Sequence, residues 1–141
     1  IFGAPQDQPD HADRALRTAA ALPREMAHVD GLLDAGTGVA SGEVIAGFVG
    51  TPERFEYTVI GDVVNLASRL CDEAKEAGVP VLASESTIRR AVADDGWVSH
   101  GRLSLKGRSG KVSAYTLRTA QVRRSRRYGT PWSSRAERSA P

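Results

Sequence analysis

The sequence has little cysteine, few aromatic residues and no long apolar run. Its 141 residues include one cysteine, Cys71, which excludes an intramolecular disulfide and any metal site built from several cysteines. Aromatic residues make up only 6%, and no apolar run approaches the roughly 18 residues that a membrane helix needs. The N-terminus does not have the layout of a signal peptide. These absences predict a cytoplasmic protein.

What is present is a normal globular composition with an uneven distribution of charge. Hydrophobic residues make up 40% and charged residues 26%. Residues 121–141 hold six arginines and one glutamate, so this end carries +5 and the remainder −3 of the overall +2. We expect a folded domain over residues 1–120 and a basic, disordered tail over 121–141. Because only Tyr128 and Trp132 interleave the tail arginines, a solvated tail is favoured over a nucleic-acid-binding one.

Helical and extended patterns alternate along the domain. Apolar residues recur at helical spacing over 10–33, where Pro23 should kink or divide the helix. Glycine-punctuated β-type residues over 37–50 predict two short strands that turn at Ser41 and Gly42. A turn at 51–54 then leads into a strand over 55–60.

The second half of the domain follows the same mixed pattern. A helix is predicted over 63–77 with Gly78 as its C-terminal stop, then a strand over 79–83. A short helix over 84–93 would be capped by Ser84 or Ser86. Residues 97–106 and 112–117 predict an antiparallel pair. Because strands and helices do not alternate regularly as βαβ units do, the predicted class is α+β with a largely antiparallel sheet.

The helix over 63–77 carries the most informative polar residues. Its apolar side chains cluster within roughly 100° of a helical wheel, and Asn65 and Arg69 lie one turn apart on the opposite side. An amide and a guanidinium in this arrangement can bind a sugar oxygen and a phosphate. The alternative is an exposed pairing of Arg69 with Glu73, which is worth only about 0.3–0.5 kcal/mol.

Several short motifs stand in a fixed order along the domain: FGAP at 2–5, GVASGEV at 38–44, YTVIGD at 57–62, VNLASRL at 64–70, SEST at 84–87 and LKG at 105–107. Together they resemble the catalytic domain of class III nucleotidyl cyclases of the bacterial type, the adenylate and guanylate cyclases. The similarity runs from residue 1 to about 118. The resemblance implies a ferredoxin-like domain that works as a head-to-tail dimer with a second cyclase-domain subunit. It also implies formation of a cyclic nucleotide and pyrophosphate, supported by Mg²⁺ or Mn²⁺.

By the same resemblance, four residues have expected roles at the site. Asn65 matches a ribose-orienting asparagine, and Arg69 matches an arginine that stabilises the transition state. Thr58 matches a threonine that contacts adenine, which favours ATP, although any strand can carry a threonine. Lys106 matches a lysine that reaches the triphosphate, with a solvated lysine as the alternative. Asp62 is interpreted as structural, either a helix N-cap or a turn acid.

The family's two metal-binding aspartates belong to a region upstream of the first motif, and no aspartate of this sequence lies in a matching context. We therefore expect an N-terminally truncated domain without metal ligands, inactive on its own. The leading hypothesis is the C-terminal part of an adenylate cyclase. The alternatives are a non-catalytic cyclase-like module that docks on a complete cyclase, and a small α+β domain with a nucleic-acid-binding tail.

Overall fold

The computed structural model describes residues 1–26, 35–51, 54–93 and 96–118. The order of elements in these ranges is α1 (His11–Met26), β1 (Thr37–Val39), β2 (Ile45–Thr51), β3 (Arg54–Ile60), α2 (Asp62–Ala77), β4 (Val81–Ser84), α3 (Glu85–Ile88), β5 (Trp97–Ser104) and β6 (Lys111–Leu117). The predicted tail over 121–141 lies outside the described residues.

The strands form two separate sheets. The larger has the order β1-β4-β6-β5, in which only the β1–β4 pair is parallel. The smaller is the antiparallel hairpin of β2 and β3, paired from Ile45 with Ile60 to Thr51 with Arg54. The predicted α+β class with a largely antiparallel sheet is confirmed.

Helices cover both faces of the four-stranded sheet. Successive strand residues point to opposite faces, and the two buried clusters divide accordingly at Leu82 and Ala83. The cluster with Leu82 includes the apolar side of α2, and the cluster with Ala83 includes parts of α1 and α3. The buried residues are Leu66, Leu70, Ala74, Val79, Leu82, Leu105 and Ala114 in the first cluster, and Leu16, Ala83 and Ile88 in the second.

Helix α2 follows the prediction closely at both ends. Gly78 closes it in the left-handed conformation, with φ 67°, and its amide bonds back to carbonyls of the last turn. At the other end the N-cap is Gly61, not Asp62. The N-cap interpretation of Asp62 is therefore wrong; Asp62 is the first helical residue, and its carboxylate turns toward another part of the chain.

The predicted turn at Ser41 and Gly42 is a crossing between the two sheets. Strand β1 pairs with β4, and β2 pairs with β3, so the segment between β1 and β2 joins two sheets instead of closing a hairpin. The segment passes close to the start of α2, since a Cβ on Gly61 would lie 3.0 Å from the carbonyl oxygen of Glu43. Glycines mark where the chain bends and do not specify which strands pair afterwards.

The two remaining helices differ from expectation in length. Helix α1 continues through Pro23 to Met26 without division, and residues 27–33 of the predicted helix lie outside the described ranges. Helix α3 has the predicted Ser84 cap but ends at Ile88. Residues 89–91 continue as a turn, and the Asp13 carboxylate of α1 then accepts hydrogen bonds from the amides of Val92 at 3.1 Å and Ala93 at 3.0 Å.

Within the described ranges, none of the helices is both long enough and apolar enough to cross a membrane.

Candidate functional site

The polar side of α2 presents the two residues predicted to act on a substrate. Asn65 is exposed, and Arg69, one turn further along, is half-buried. Leu66 and Leu70, next to them in sequence, are buried against the sheet and fix the rotation of the helix. The alternative pairing of Arg69 with Glu73 is absent from the ion pairs that the described residues form.

Arg69 is half-buried because it lies against the turn between β5 and β6. A Cβ atom on Gly107 would be 3.4 Å from Nη2 of Arg69. Gly107 has φ +72°, a conformation that favours glycine, and so allows the turn to approach the guanidinium. The turn also carries Lys106, which is exposed. The structure thus places two cationic residues, predicted separately from two motifs, on neighbouring segments.

An open depression lies beside the first turn of α2. Its volume is ≈ 460 Å³, and it is lined by the end of β3 and the start of the helix: Val59, Ile60, Gly61, Asp62, Val64 and Asn65. Apolar walls with an amide at the edge suit a ligand that has both a flat apolar part and polar oxygens. Asn65 is therefore the predicted site residue most directly associated with a cavity.

Thr58 lies on β3, opposite Gly47 of β2, and is half-buried. It is not among the residues that line the depression. The described chain therefore brings Arg69 close to the Lys106–Gly107 turn and Asn65 to a cavity, and leaves Thr58 apart from both. Its role toward a base remains a prediction from the motif.

Asp62 and Arg108 form an ion pair that sequence reasoning missed. Nη1 of Arg108 lies 2.6 Å from Oδ2 of Asp62 and joins the start of α2 to the turn that carries Lys106. Asp62 was recognised only as a local turn or cap residue, and nothing in the sequence marks Arg108 as its partner. Opposite charges far apart in a sequence carry no pairing signal.

The two acids whose pKa is lowered, Asp10 and Asp13, belong to α1 and its start and not to the residues of this site. Hydrogen bonds from the amides of Ala93 and Val92 lower the pKa of Asp13. The Arg14 guanidinium, 2.8 Å away, lowers the pKa of Asp10. Asp10 pairs within the first turns of α1, and Asp13 joins α1 to the segment that follows α3, so both carboxylates have structural contacts.

Divalent metal ions are general for class III cyclases. Within the described ranges, no group of three or more His, Cys, Asp or Glu side chains is placed to hold one. Asp62, the acid at the depression, already has Arg108 as its ionic partner. The residues present do not fit a metal site, so no chemical step is assigned to a metal held by this part of the chain.

The hairpin exposes a large amount of apolar side chain. The exposed fractions are 77% for Ile45, 71% for Phe48, 62% for Phe55 and 62% for Ile60. Phe48 and Tyr57 stack edge-to-face across the hairpin with ring centroids 5.2 Å apart. An apolar surface of this kind is typical of a contact with another protein surface.

Comparison with known sequences gives one family over nearly the whole described domain. The family described as "Adenylate and Guanylate cyclase catalytic domain" matches residues 1–119. The uncharacterized protein Rv1320c of Mycobacterium tuberculosis is 50% identical over 91 residues, and Rv1318c of the same organism is 46% identical over 95. These stretches cover 64% and 67% of this chain but only 16% and 18% of the relatives.

Solved structures of cyclases share the fold. The guanylate cyclase domain of RhGC from Catenaria anguillulae, in complex with GTP, has a TM-score of 0.67 at 28% identity and is matched over 85% of this chain and 65% of that one. The guanylyl cyclase Cya2 has a TM-score of 0.66 at 29% identity, over 91% and 66%. The adenylyl cyclase CyaB from P. aeruginosa has a TM-score of 0.58 at 30% identity, over 82% and 64%.

Proposed function

The chain belongs to the adenylate and guanylate cyclase catalytic domain family, and we propose that it supplies Asn65 and Arg69 to an adenylate cyclase site completed by a second cyclase domain. The observation that carries this proposal is the approach of the Lys106–Gly107 turn to Arg69, beside the depression lined by Asn65. An arginine beside a lysine-bearing turn, one helical turn from an amide that lines a depression, suits a nucleoside triphosphate. The reaction would convert ATP to cyclic AMP and pyrophosphate.

Each residue has a distinct task in this proposal. The ribose 3′ oxygen forms a bond to the α-phosphorus, its proton is released, and the bond from that phosphorus to the pyrophosphate oxygen breaks. Asn65 orients the ribose so that the 3′ oxygen faces the α-phosphate. Arg69 donates hydrogen bonds to phosphate oxygens as negative charge develops on them. Lys106 attracts the triphosphate, and Thr58 contacts the base and favours adenine.

A second domain would provide what the described residues lack. The metal ions of the family and the carboxylates that hold them would come from that domain. The exposed side chains of Ile45, Phe48, Phe55 and Ile60 support a large apolar contact with such a partner. The guanylyl cyclase domain of the RhoGC fusion protein from Blastocladiella emersonii, 29% identical to this chain, is described as a non-canonical dimer, which is a precedent for the pairing of two cyclase domains but not for its geometry.

A complementation assay tests the proposal. The chain is mixed with a class III cyclase domain that keeps its metal aspartates but has its own arginine, at the position matching Arg69, replaced by alanine. Cyclic AMP formed from ATP and Mn²⁺ is measured for the mixture and for each protein alone. We expect product only in the mixture, and loss of product with Arg69→Ala.

The matched control is Arg102→Ala, because Arg102 is an exposed arginine of β5. Activity of the Arg69→Ala mixture equal to that of the Arg102→Ala mixture would contradict the assigned role of Arg69. Turnover by the chain alone, above that of its own Arg69→Ala variant, would contradict the need for a second domain. Repeating the assay with GTP tests the proposed preference for ATP.

The second candidate function is a non-catalytic module that docks on a complete cyclase. The lack of a metal-ligand group within the described residues favours it. In this case the chain would bind the partner domain in sedimentation experiments, and the mixture would form no cyclic AMP. The two candidates therefore predict the same complex and opposite results in the activity assay.

A further inference from the structure

The Asp62–Arg108 ion pair joins two segments that carry the proposed site residues. Asp62 is the first residue of α2, three positions before Asn65, and Arg108 follows Gly107 in the β5–β6 turn. Their closest atoms, Oδ2 and Nη1, are 2.6 Å apart. The contact therefore links the start of the helix to the turn that lies against Arg69.

The environment of Arg108 distinguishes this pair from an ordinary surface contact. The side chain of Asp62 is 70% exposed, but that of Arg108 is only 31% exposed, and its Nη1 atom is buried. Among the described residues Nη1 has no well-aligned hydrogen bond, so the Asp62 carboxylate is its ionic partner. Loss of the Asp62 carboxylate would leave the buried Nη1 of Arg108 without an ionic partner. Because a buried unpaired charge is unfavourable, the Arg108 side chain would then move toward water.

Movement of Arg108 would not stay local. The amide of Arg108 donates a hydrogen bond of 3.1 Å to the carbonyl of Leu105, and this bond closes the turn around Lys106 and Gly107. Leu105 is buried in the core cluster below, so one end of the turn is fixed. The other end enters β6 at Lys111, which pairs with Ser104 of β5, so both ends of the turn are anchored and its tip is exposed. The ion pair is a contact that holds this tip toward α2.

We infer that Asp62 and Arg108 are positioning residues that hold the Lys106–Gly107 turn against Arg69, and so set the distance between the two cationic groups. The expected effect on the reaction rests on the proposed function. The ordering of residues 105–110 by the ion pair is independent of that function. Asp62 lines the depression, but its carboxylate is paired with Arg108, and neither residue has a task toward the substrate in the proposed reaction.

A double-mutant cycle tests the inference: Asp62→Asn, Arg108→Gln and the double variant. Asp72→Asn, an exposed acid of α2, and Arg102→Gln, an exposed arginine of β5, are the controls. Hydrogen exchange of the amides of residues 105–110 measures the order of the turn. We expect each single variant to accelerate exchange in this segment and the double variant to add nothing further, because coupled residues act through one contact.

The complementation assay supplies the second measurement. A turn held about 1 Å out of place costs alignment in the transition state, so kcat should fall by about tenfold in each single variant and by the same factor in the double variant. KM should change by less than about twofold, because the ion pair does not bind substrate. A loss of general stability would instead lower the fraction of folded protein at the assay temperature, which circular dichroism measures separately from kcat.

The outcomes separate the inference from the function on which it rests. Exchange of residues 105–110 that matches the controls would overturn the inference, as would kcat losses that multiply in the double variant. If the wild-type mixture forms no cyclic AMP, the proposed function fails, and the exchange experiment alone decides whether the ion pair orders the turn.

Discussion

Gly38 of β1 lies directly against Ala67 of α2. A Cβ atom on Gly38 would overlap the carbonyl oxygen of Ala67 and come within 2.5 Å of the amide nitrogen of Cys71. Gly36, two residues earlier, is similarly close to the same helix, and the Cys71 thiol donates a 3.0 Å hydrogen bond to its carbonyl. The strand and the helix pack backbone to backbone, which places α2, and with it Asn65 and Arg69, at one fixed depth on the sheet.

Gly38→Ala should therefore destabilise the domain strongly. The added methyl group meets backbone atoms, which cannot rotate away, so we expect a loss of about 3 kcal/mol in the free energy of unfolding, at the upper end of the cost of overpacking. Denaturant unfolding followed by circular dichroism measures it. Gly47→Ala is the control, since a Cβ at Gly47 has nothing within 4 Å. Equal stability of the two variants would contradict the close packing.

The contact of Gly107 with Arg69 gives a prediction about activity. Gly107→Ala and Gly110→Ala both place alanine at a positive φ, +72° and +89°, and each should cost about 1 kcal/mol. Only the methyl group at 107 meets Arg69, because a Cβ at Gly110 has nothing within 4 Å. In the complementation assay we expect kcat to fall by about twofold for Gly107→Ala, because the added methyl would touch a guanidinium that can shift slightly, and to stay near wild type for Gly110→Ala. Equal kcat values would show that the turn does not set the position of the arginine.

Asp13 should make the stability of the domain depend on pH. Its pKa in the folded state is lowered by the amides of Ala93 and Val92, so its carboxylate stabilises the fold at pH values above the ordinary pKa near 3.8. That contribution is lost as the pH falls through the lower pKa of the folded state.

The Asp13→Asn variant measures this contribution. It should unfold at a lower urea concentration than wild type at pH 7, and the difference should narrow as the pH falls below about 4. Asp72→Asn, on the exposed side of α2, is the comparison variant. A difference between wild type and Asp13→Asn that stays constant from pH 7 to pH 3 would be inconsistent with the amide contacts.

Ser86 connects α3 to the segment that crosses between the two sheets. Its hydroxyl donates a 2.7 Å hydrogen bond to the carbonyl of Ser41. Ser86→Ala leaves that carbonyl without its donor, so we expect a loss of about 1 kcal/mol in the free energy of unfolding. Thermal unfolding compared with Ser99→Ala, an exposed serine of β5, measures it. A melting temperature equal to that of the Ser99 variant would count against a structural role for the bond.

The parts of the fold that the sequence predicted are those with a local pattern. Helix α2 has an apolar period on one side and a glycine at its end, and both features are found in the structure. The pairing of β1 with β4 could not be predicted from a local pattern. Three residues at 37–39 pair with residues 81–83, and no local signal identifies a partner so far along the chain.

The same limit applies to the candidate site. The motifs identified Asn65, Arg69 and Lys106, and the structure adds that Arg69 lies next to the lysine's turn. The sequence did not predict the Asp62–Arg108 ion pair, because no pattern distinguishes this acid and this arginine from other oppositely charged residues far apart in the chain. The short helix after Ser84 was predicted, but its end was placed at 93 and not at Ile88.

The apolar hairpin has a mechanical consequence for the site. Neither buried cluster includes a residue of β2 or β3, and β3 passes into α2 through the single residue Gly61. In the proposed complex, a partner bound to the hairpin would therefore contact a segment that continues directly into the first turn of the helix carrying Asn65. Assembly and alignment of the proposed site would then be coupled, because the same short connection joins the partner surface to the amide.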